Sequence, residues 1–285
     1  MYAVTGVTGR VGGEVARALL ATGQPVRAVV RDPRKASAWA ALGCEVAIAS
    51  LQDAEALKVA FSGATAAFIL PPPVFDPEPG YPEITAVMAA VTEALRTAKP
   101  RRTLSLSTVG ADAGKDNLLS QHTIAEAAMR QLPMPVTILR PAWFIDNAEW
   151  DAADARERGV IRSFLQPLDR GMPMVAARDV GRVAARLIQE DSTDLRVVEL
   201  EGPSRVSPND LASAFSDALS RPVRAEAVPR QAWPELFRRQ GMRNATPRMR
   251  MLDGFNEGWI KFSAPESVLR GELTAAEVVR EFVAR

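Results

Sequence analysis

One short stretch near the N-terminus constrains this chain more than any other. Gly6-Val7-Thr8-Gly9-Arg10-Val11-Gly12 has the spacing GxxGxxG, directly after the apolar run Tyr2–Val4 and at the head of a helical pattern. In that pattern Val11, Val15 and Leu19 recur on one face, and Gly23 supplies a stop. Glycines at such a turn let the backbone approach a pyrophosphate, whose charge the helix N-terminus stabilises. A glycine turn can also serve close packing alone, so the context decides. A second apolar run follows at Val26–Val30, completing the strand–loop–helix–strand order of a nucleotide-binding unit. Gly6, Thr8, Gly9, Arg10, Val11 and Gly12 are therefore assigned to a dinucleotide cofactor.

The alternation continues. Apolar runs at Glu45–Ala49, Ala66–Leu70, Thr103–Ser107 and Val136–Leu139 are separated by amphipathic stretches such as Ala54–Phe61 and Ile84–Ala98. This order predicts an α/β fold: a doubly wound parallel sheet of the Rossmann type, covered by helices on both faces. The 285 residues leave room for a second, smaller unit. We expect residues 1–148 to form the NAD(P)-binding domain and 149–285 a small α+β substrate lobe, with 176–202 returning to the sheet. Within the lobe, Asp179–Gln189 and Gln231–Gln240 read as helices, and Arg196–Glu201 and Val223–Val228 as strands. Ser207 suits an N-cap, with Pro208 opening a helix to Leu219. The proline-dense stretch 71–82 follows the fourth strand, where such sheets place ligand-facing loops; the alternative is a rigid surface loop.

The end of the second strand bears on which dinucleotide binds. It reads Arg31-Asp32-Pro33-Arg34-Lys35. An acidic residue here takes the ribose 2′-hydroxyl of NAD, whereas arginine accommodates the 2′-phosphate of NADP. Asp32 before Pro33 suits a helix N-cap, which gives it a structural role. That leaves Arg31 for the phosphate, with Arg34 or Lys35 nearby, and favours NADP(H).

Composition closes several alternatives. Thirty-five basic and 34 acidic residues give net charge +1, without the basic excess of a nucleic-acid binder. A single cysteine excludes a disulfide framework, and a single histidine excludes multi-histidine metal sites. No apolar run reaches the roughly 18 residues of a membrane span, and the N-terminus opens directly on a strand-like segment, so a cytoplasmic protein is expected.

The glycine loop, the Arg31 segment and the stretch Val136-Thr137-Ile138-Leu139-Arg140-Pro141-Ala142-Trp143-Phe144 together resemble the short-chain dehydrogenase/reductase superfamily, most closely its atypical NmrA-like branch. Ordinary members of that superfamily use a Tyr-x-x-x-Lys pair. Here the two tyrosines are Tyr2 and Tyr81, followed four residues later by Gly6 and Thr85, so no such pair exists. The helix that would carry it reads Ser120-Gln121-His122-Thr123-Ile124-Ala125-Glu126, with His122 and Glu126 on one face. It is similar to the bacterial type-2 NADPH:quinone reductases of the NmrA-like group. By that resemblance His122 would face the nicotinamide or the substrate and serve as proton donor; alternatively it simply pairs with Glu126. Ser107 and Thr108 end the fifth strand and either orient ligand or satisfy local backbone groups. By the family pattern Leu70 and Pro71 would pack over the cofactor, and Pro141, Trp143 and Phe144 would line its nicotinamide side. Pro72, Phe75, Trp143, Phe144 and Asn147 are expected to meet the substrate, with core packing as the alternative for the aromatic ones. Trp150, Phe164, Met172 and Met174 either join this apolar pocket or belong to the core.

Two functions are expected from this reading. The first is an NADPH-dependent reductase of an electron-poor conjugated electrophile, such as a quinone or an azo compound. The second is a non-catalytic NADP(H)-binding redox sensor acting through a protein partner. The segment 221–250 carries eight arginines against Glu226 and Glu235, read either as a solvated face or as a docking surface. A homodimer is left open.

Overall fold

Short runs of β-branched and small apolar residues make the strands, and amphipathic stretches make the helices that cover them. The computed structural model describes residues 1–284. In chain order its first half holds β1 (Tyr2–Val4), α1 (Arg10–Ala21), β2 (Val26–Val30), α2 (Ala36–Ala41), β3 (Glu45–Ile48) and α3 (Ala54–Phe61). Then come β4 (Ala66–Ile69), α4 (Pro82–Ala98), β5 (Arg102–Leu106), α5 (Ser120–Met129) and β6 (Val136–Pro141). Beyond it lie β7 (Trp143–Phe144), α6 (Ala152–Arg158), β8 (Val160–Ser163), β9 (Met174–Val175), α7 (Ala177–Leu187) and β10 (Arg196–Glu201). The chain closes with α8 (Pro208–Leu219), β11 (Arg224–Ala227), α9 (Trp233–Arg239), α10 (Thr246–Glu257), β12 (Leu269–Arg270) and α11 (Ala275–Val283).

Eight strands form one parallel sheet in the order β12-β10-β6-β5-β4-β1-β2-β3. The inner strands β1, β4 and β6 are buried at every residue. That is why β1 and β4 read as continuous apolar runs rather than alternations. One core lies under α1 and α7 and includes Val15, Leu19 and Val180. The other lies under α3, α4 and α5 and includes Leu57, Phe61, Val91 and Met129. The first core runs on without a break into Phe215, Trp233 and Phe237 of the lobe. From β1 the chain moves outward to β3, then crosses back to β4. This reversal opens a crevice above the carboxyl ends of β1 and β4, where doubly wound sheets bind nucleotides.

Residues 176–202 contribute α7, which packs against α1, and β10, which pairs with β6. A later return is not indicated by the sequence pattern. β12 pairs with the end of β10, and buried Asp179 accepts the backbone N–H groups of Glu272 and Leu273 at 2.8 Å each. The lobe itself adds two small parallel pairs, β8 with β11 and β7 with β9. Ser207 caps α8 as expected, in a reciprocal box with Asp210. The expected helix 231–240 is shorter: a 3-10 turn over Arg230–Ala232 precedes α9, which has Pro234 in its first turn. The arginines of 221–250 are engaged within the molecule: Arg230 with Asp253, Arg238 and Arg239 with Glu235, Arg243 with Glu78, and Arg248 over the Phe237 ring. A face so engaged fits the solvated reading and leaves little free charge for docking. No helix among the described residues is long and apolar enough to cross a membrane.

Candidate active site

The glycine loop is held against the sheet by backbone proximity that side chains would forbid. Gly6 has φ +67°, and a Cβ there would lie 2.6 Å from Leu70 Cδ2. A Cβ on Gly12 would lie 2.4 Å from the Gly6 carbonyl oxygen. Gly9 caps α1 with no side-chain hydrogen bond, and the first turn holds no acidic residue. The leading amides of α1 are therefore unclaimed by side chains, and their dipole favours an anion. Thr8, Gly9 and Arg10 are exposed at this turn, whereas Val11 packs into the core and can offer only its backbone. Buried Thr5, which no motif or spacing singles out, ties the floor of the crevice. Its hydroxyl donates to Phe68 O (3.0 Å) and accepts from Leu70 N (2.9 Å), joining the ends of β1 and β4.

At the end of β2, Asp32 serves as the N-cap, and its carboxylate accepts Arg34 N at 3.0 Å. The Arg34 guanidinium also closes on this carboxylate and holds it below the usual carboxylate range. Arg34 is thereby occupied. Arg31 and Lys35 are exposed, and among the described residues neither forms an ion pair. They are free cations beside the crevice.

The carboxyl end of β5 points into a buried polar network. Ser107 Oγ donates to Glu126 Oε1 at 2.6 Å, and Arg140 grips both oxygens of the same carboxylate. Arg140 continues to Asp112 (2.7 Å) and Ser263 (3.1 Å), while Glu199 accepts the backbone N–H groups of Ser263 and Ala264. Burial alone would raise Glu126, but hydrogen bonds from Arg140 and Ser107 hold it below its ordinary range. Glu126 is thus bonded to Arg140 and not to His122. Thr108 Oγ1 turns to the neighbouring Val109 carbonyl (3.2 Å). Thr108 thus satisfies a local backbone group, whereas Ser107 bonds a carboxylate on α5 rather than the local backbone.

His122 sits one turn before Glu126 on α5, and its Nδ1 is buried with no partner. Burial pushes its pKa down to about 4, against a smaller upward pull from the Glu126 charge. The ring is therefore neutral near pH 7. In that form the ring offers a hydrogen bond, and imidazolium is the minor species. Of the tyrosines, Tyr2 lies in the core, and Tyr81 donates to Asn117 O at 2.8 Å beside Asp116. Burial and Asp116 push the Tyr81 phenol up to about 12, so it is a structural group. Among the described residues no cluster of three metal-ligating side chains occurs.

The sequence model of the NmrA-like family matches residues 2–258. The chain belongs to the NmrA-like family. It is 28% identical over 280 residues to an NAD(P)H azoreductase of Xenophilus azovorans, covering 96% of this chain and 90% of that protein. It is 30% identical over 228 residues to the (4-alkanoyl-5-oxo-2,5-dihydrofuran-3-yl)methyl phosphate reductase of Streptomyces griseus, covering 80% of this chain and 77% of that one. In structure it is similar to an NADPH-dependent quinone oxidoreductase of Escherichia coli solved with NADPH, with TM-score 0.81, 24% identity and 99% of each chain covered. That likeness speaks to the fold.

In this NmrA-like chain the far wall of the crevice is the segment after β6. Pro141 is buried, Trp143 and Phe144 are half-buried, and Asn147 is half-buried with no protein hydrogen bond to its amide among the described residues. Arg10 reaches across from the head of α1 to Asp146 (3.0 Å) and to Glu149. Asp146 also accepts Ala177 N at 2.8 Å, which anchors the segment to α7. On the near wall Leu70 and Pro71 lead into the proline loop, with Pro72 and Phe75 exposed. Other pocket candidates turn out to be core: Phe164 stacks on Phe237, while Met172 and Met174 are buried. Trp143 itself makes an edge contact with Phe255 at 5.2 Å.

Proposed function

We propose that this chain is an NADPH-dependent reductase that transfers hydride to an electron-poor conjugated small molecule, a quinone or an azo compound, without a Tyr-x-x-x-Lys pair. The observation that carries this reading is the unclaimed N-terminus of α1, folded against the sheet through Gly6 and Gly12, with free Arg31 at the end of the adjacent strand. That arrangement suits a pyrophosphate on the helix and a 2′-phosphate on the arginine. The azoreductase and the dihydrofuran phosphate reductase, both similar over most of the chain, support reduction of a conjugated acceptor.

The residues that would hold the cofactor are the 6–12 loop, Arg31 and Lys35, with Leu70, Pro71, Pro141, Trp143 and Phe144 along its length. Bound NADPH would supply the hydride. The protein then has to exclude water and hold a flat acceptor close, because an acceptor that yields a delocalised anion needs no strong acid. Neutral His122 would donate a hydrogen bond to the developing charge, with solvent delivering the proton. Pro72, Phe75, Trp143, Phe144 and Asn147 would meet the acceptor.

The test is oxidation of NADPH by purified protein with a panel of quinones and azo dyes, after titration of NADPH binding. Saturable turnover that collapses with NADH is expected. Tight NADPH binding with no turnover on any acceptor would overturn the reductase and favour a sensor.

A further inference from the structure

Two large aromatic rings stand out of the protein at the mouth of the crevice. Phe75 is 50% exposed and Trp150 68% exposed, yet their centroids lie 6.4 Å apart with planes at 80°. Phe75 belongs to the loop leaving β4, and Trp150 to the segment following β6. These strands flank β5, so the rings meet from opposite sides of the strand that leads to Ser107 and the His122 helix.

Neither ring rides on a loose backbone. Before Phe75, Val74 O accepts Gln121 Nε2 of α5 at 2.9 Å. After it, Asp76 accepts the backbone N–H groups of Arg243 (3.0 Å) and Asn244 (2.7 Å), and Pro77 O accepts Asn244 Nδ2 (2.9 Å). The proline loop is thus latched to α5 at one point and to the lobe at another. Before Trp150, Glu149 is paired with Arg10; Trp150 itself stands in the 3-10 turn Ile145–Asp151, which leads directly into α6. Each exposed ring is held between fixed neighbours.

An aromatic face left in water is unfavourable, and a pair of such faces on rigid supports marks a surface built to be covered. What covers it follows from shape. Rings that meet edge to face can rotate about their side-chain torsions and admit a flat conjugated body between or against them. A small single-ring acceptor seated deeper in the crevice would fall short of Trp150.

We infer that Phe75 and Trp150 form a clamp that positions multi-ring planar acceptors and sets the preference for them over single-ring ones. This rests on the reductase reading and adds the residues that select its substrate.

The experiment compares wild type with Phe75→Ala, Trp150→Ala and Trp150→Phe, using 1,4-naphthoquinone and 1,4-benzoquinone as acceptors. In both alanine variants the KM for naphthoquinone should rise about tenfold, the loss of one aromatic stacking interaction. In Trp150→Ala the kcat, the KM for benzoquinone and the affinity for NADPH should stay near wild type, and Trp150→Phe should recover most of the loss. Unchanged KM for naphthoquinone in both alanine variants would overturn the clamp. Calorimetric binding of naphthoquinone in the presence of NADP+ reads the same contact without turnover. Equal affinity in wild type and alanine variants overturns the clamp there too. Failure of the reductase reading shows separately, as wild-type protein that oxidises no NADPH.

Discussion

Arg140 of β6 grips Glu126 of α5 at two points, Nε to Oε1 and Nη2 to Oε2, both at 2.7 Å and both buried. The grip ties α5 to the sheet one turn beyond His122, so the position of that ring depends on an ion pair it does not join. Removing the cation strands Glu126 and nearby Glu199 in the interior. Arg140→Met should lower the unfolding free energy by about 3–5 kcal/mol, the usual cost of breaking a buried pair from one side. Glu126→Gln keeps an acceptor for Ser107 and should cost less. Urea unfolding curves compare the two; equal curves for Arg140→Met and wild type would mean the grip adds nothing.

Gly12→Ala places a methyl 2.4 Å from the Gly6 carbonyl oxygen, a backbone atom that cannot rotate aside. The head of α1 must then move off the end of β1. A stability loss of about 1–3 kcal/mol is expected from overpacking, together with a loss of NADPH binding larger than that stability change explains. Retained NADPH affinity in titration would show that the loop is not the phosphate cradle.

The sequence revealed what is decided locally. α3, β1, β2 and β10 fall on the residues their apolar patterns indicate, because each buries a face against the sheet and ends at a turn former. The Ser207 cap was legible for the same reason, although its reciprocal bond with Asp210 was not. β12 was not, since two residues join the sheet only through pairing with β10. α10 was hidden because its buried Met251, Leu252 and Phe255 alternate with charged residues. The polar network left one sign, a lone arginine in the run Val136–Leu139 and beyond. Its partners Glu126, Asp112 and Ser263 come from three other segments, which only the fold brings together. His122 was recognisable as a candidate, but its neutrality follows from burial, which spacing does not report.

Arg31 is a free, exposed cation, whereas Arg34 is held by Asp32. Arg31→Ala should therefore weaken NADPH by roughly 10- to 100-fold, the worth of one charge-assisted hydrogen bond. NADH affinity should be unchanged, and Arg34→Ala should affect both cofactors little. Fluorescence titration with each nucleotide makes the comparison. Equal losses for NADPH and NADH would remove the 2′-phosphate role.

Asp151 is pushed up to about 6 by burial, with the neighbouring Asp154 charge adding to it. Its folded pKa lies above the unfolded value, so the native state binds this proton more tightly. Its contribution is favourable in acid and is lost as pH rises through about 6. Asp151→Asn should raise stability at pH 7.5 by up to about 3 kcal/mol and change little at pH 4. Chemical denaturation at the two pH values measures it, and equal effects at both would rule the titration out.

His122 runs in the opposite direction. Its folded pKa is near 4, below the unfolded value of about 6.5, so in between the unfolded chain binds a proton the native state refuses. Stability attributable to this ring is full above pH 6.5 and falls by up to about 3 kcal/mol as pH drops to 4. His122→Phe should flatten that part of the pH–stability curve. The same neutrality governs catalysis. With a reactive acceptor, kcat/KM should show no His122-dependent inflection near pH 6.5, because a ring already neutral has no proton to lose there. An inflection near 6.5 that His122→Phe abolishes would show that the ring ionises in the working enzyme and would restore it as a proton donor.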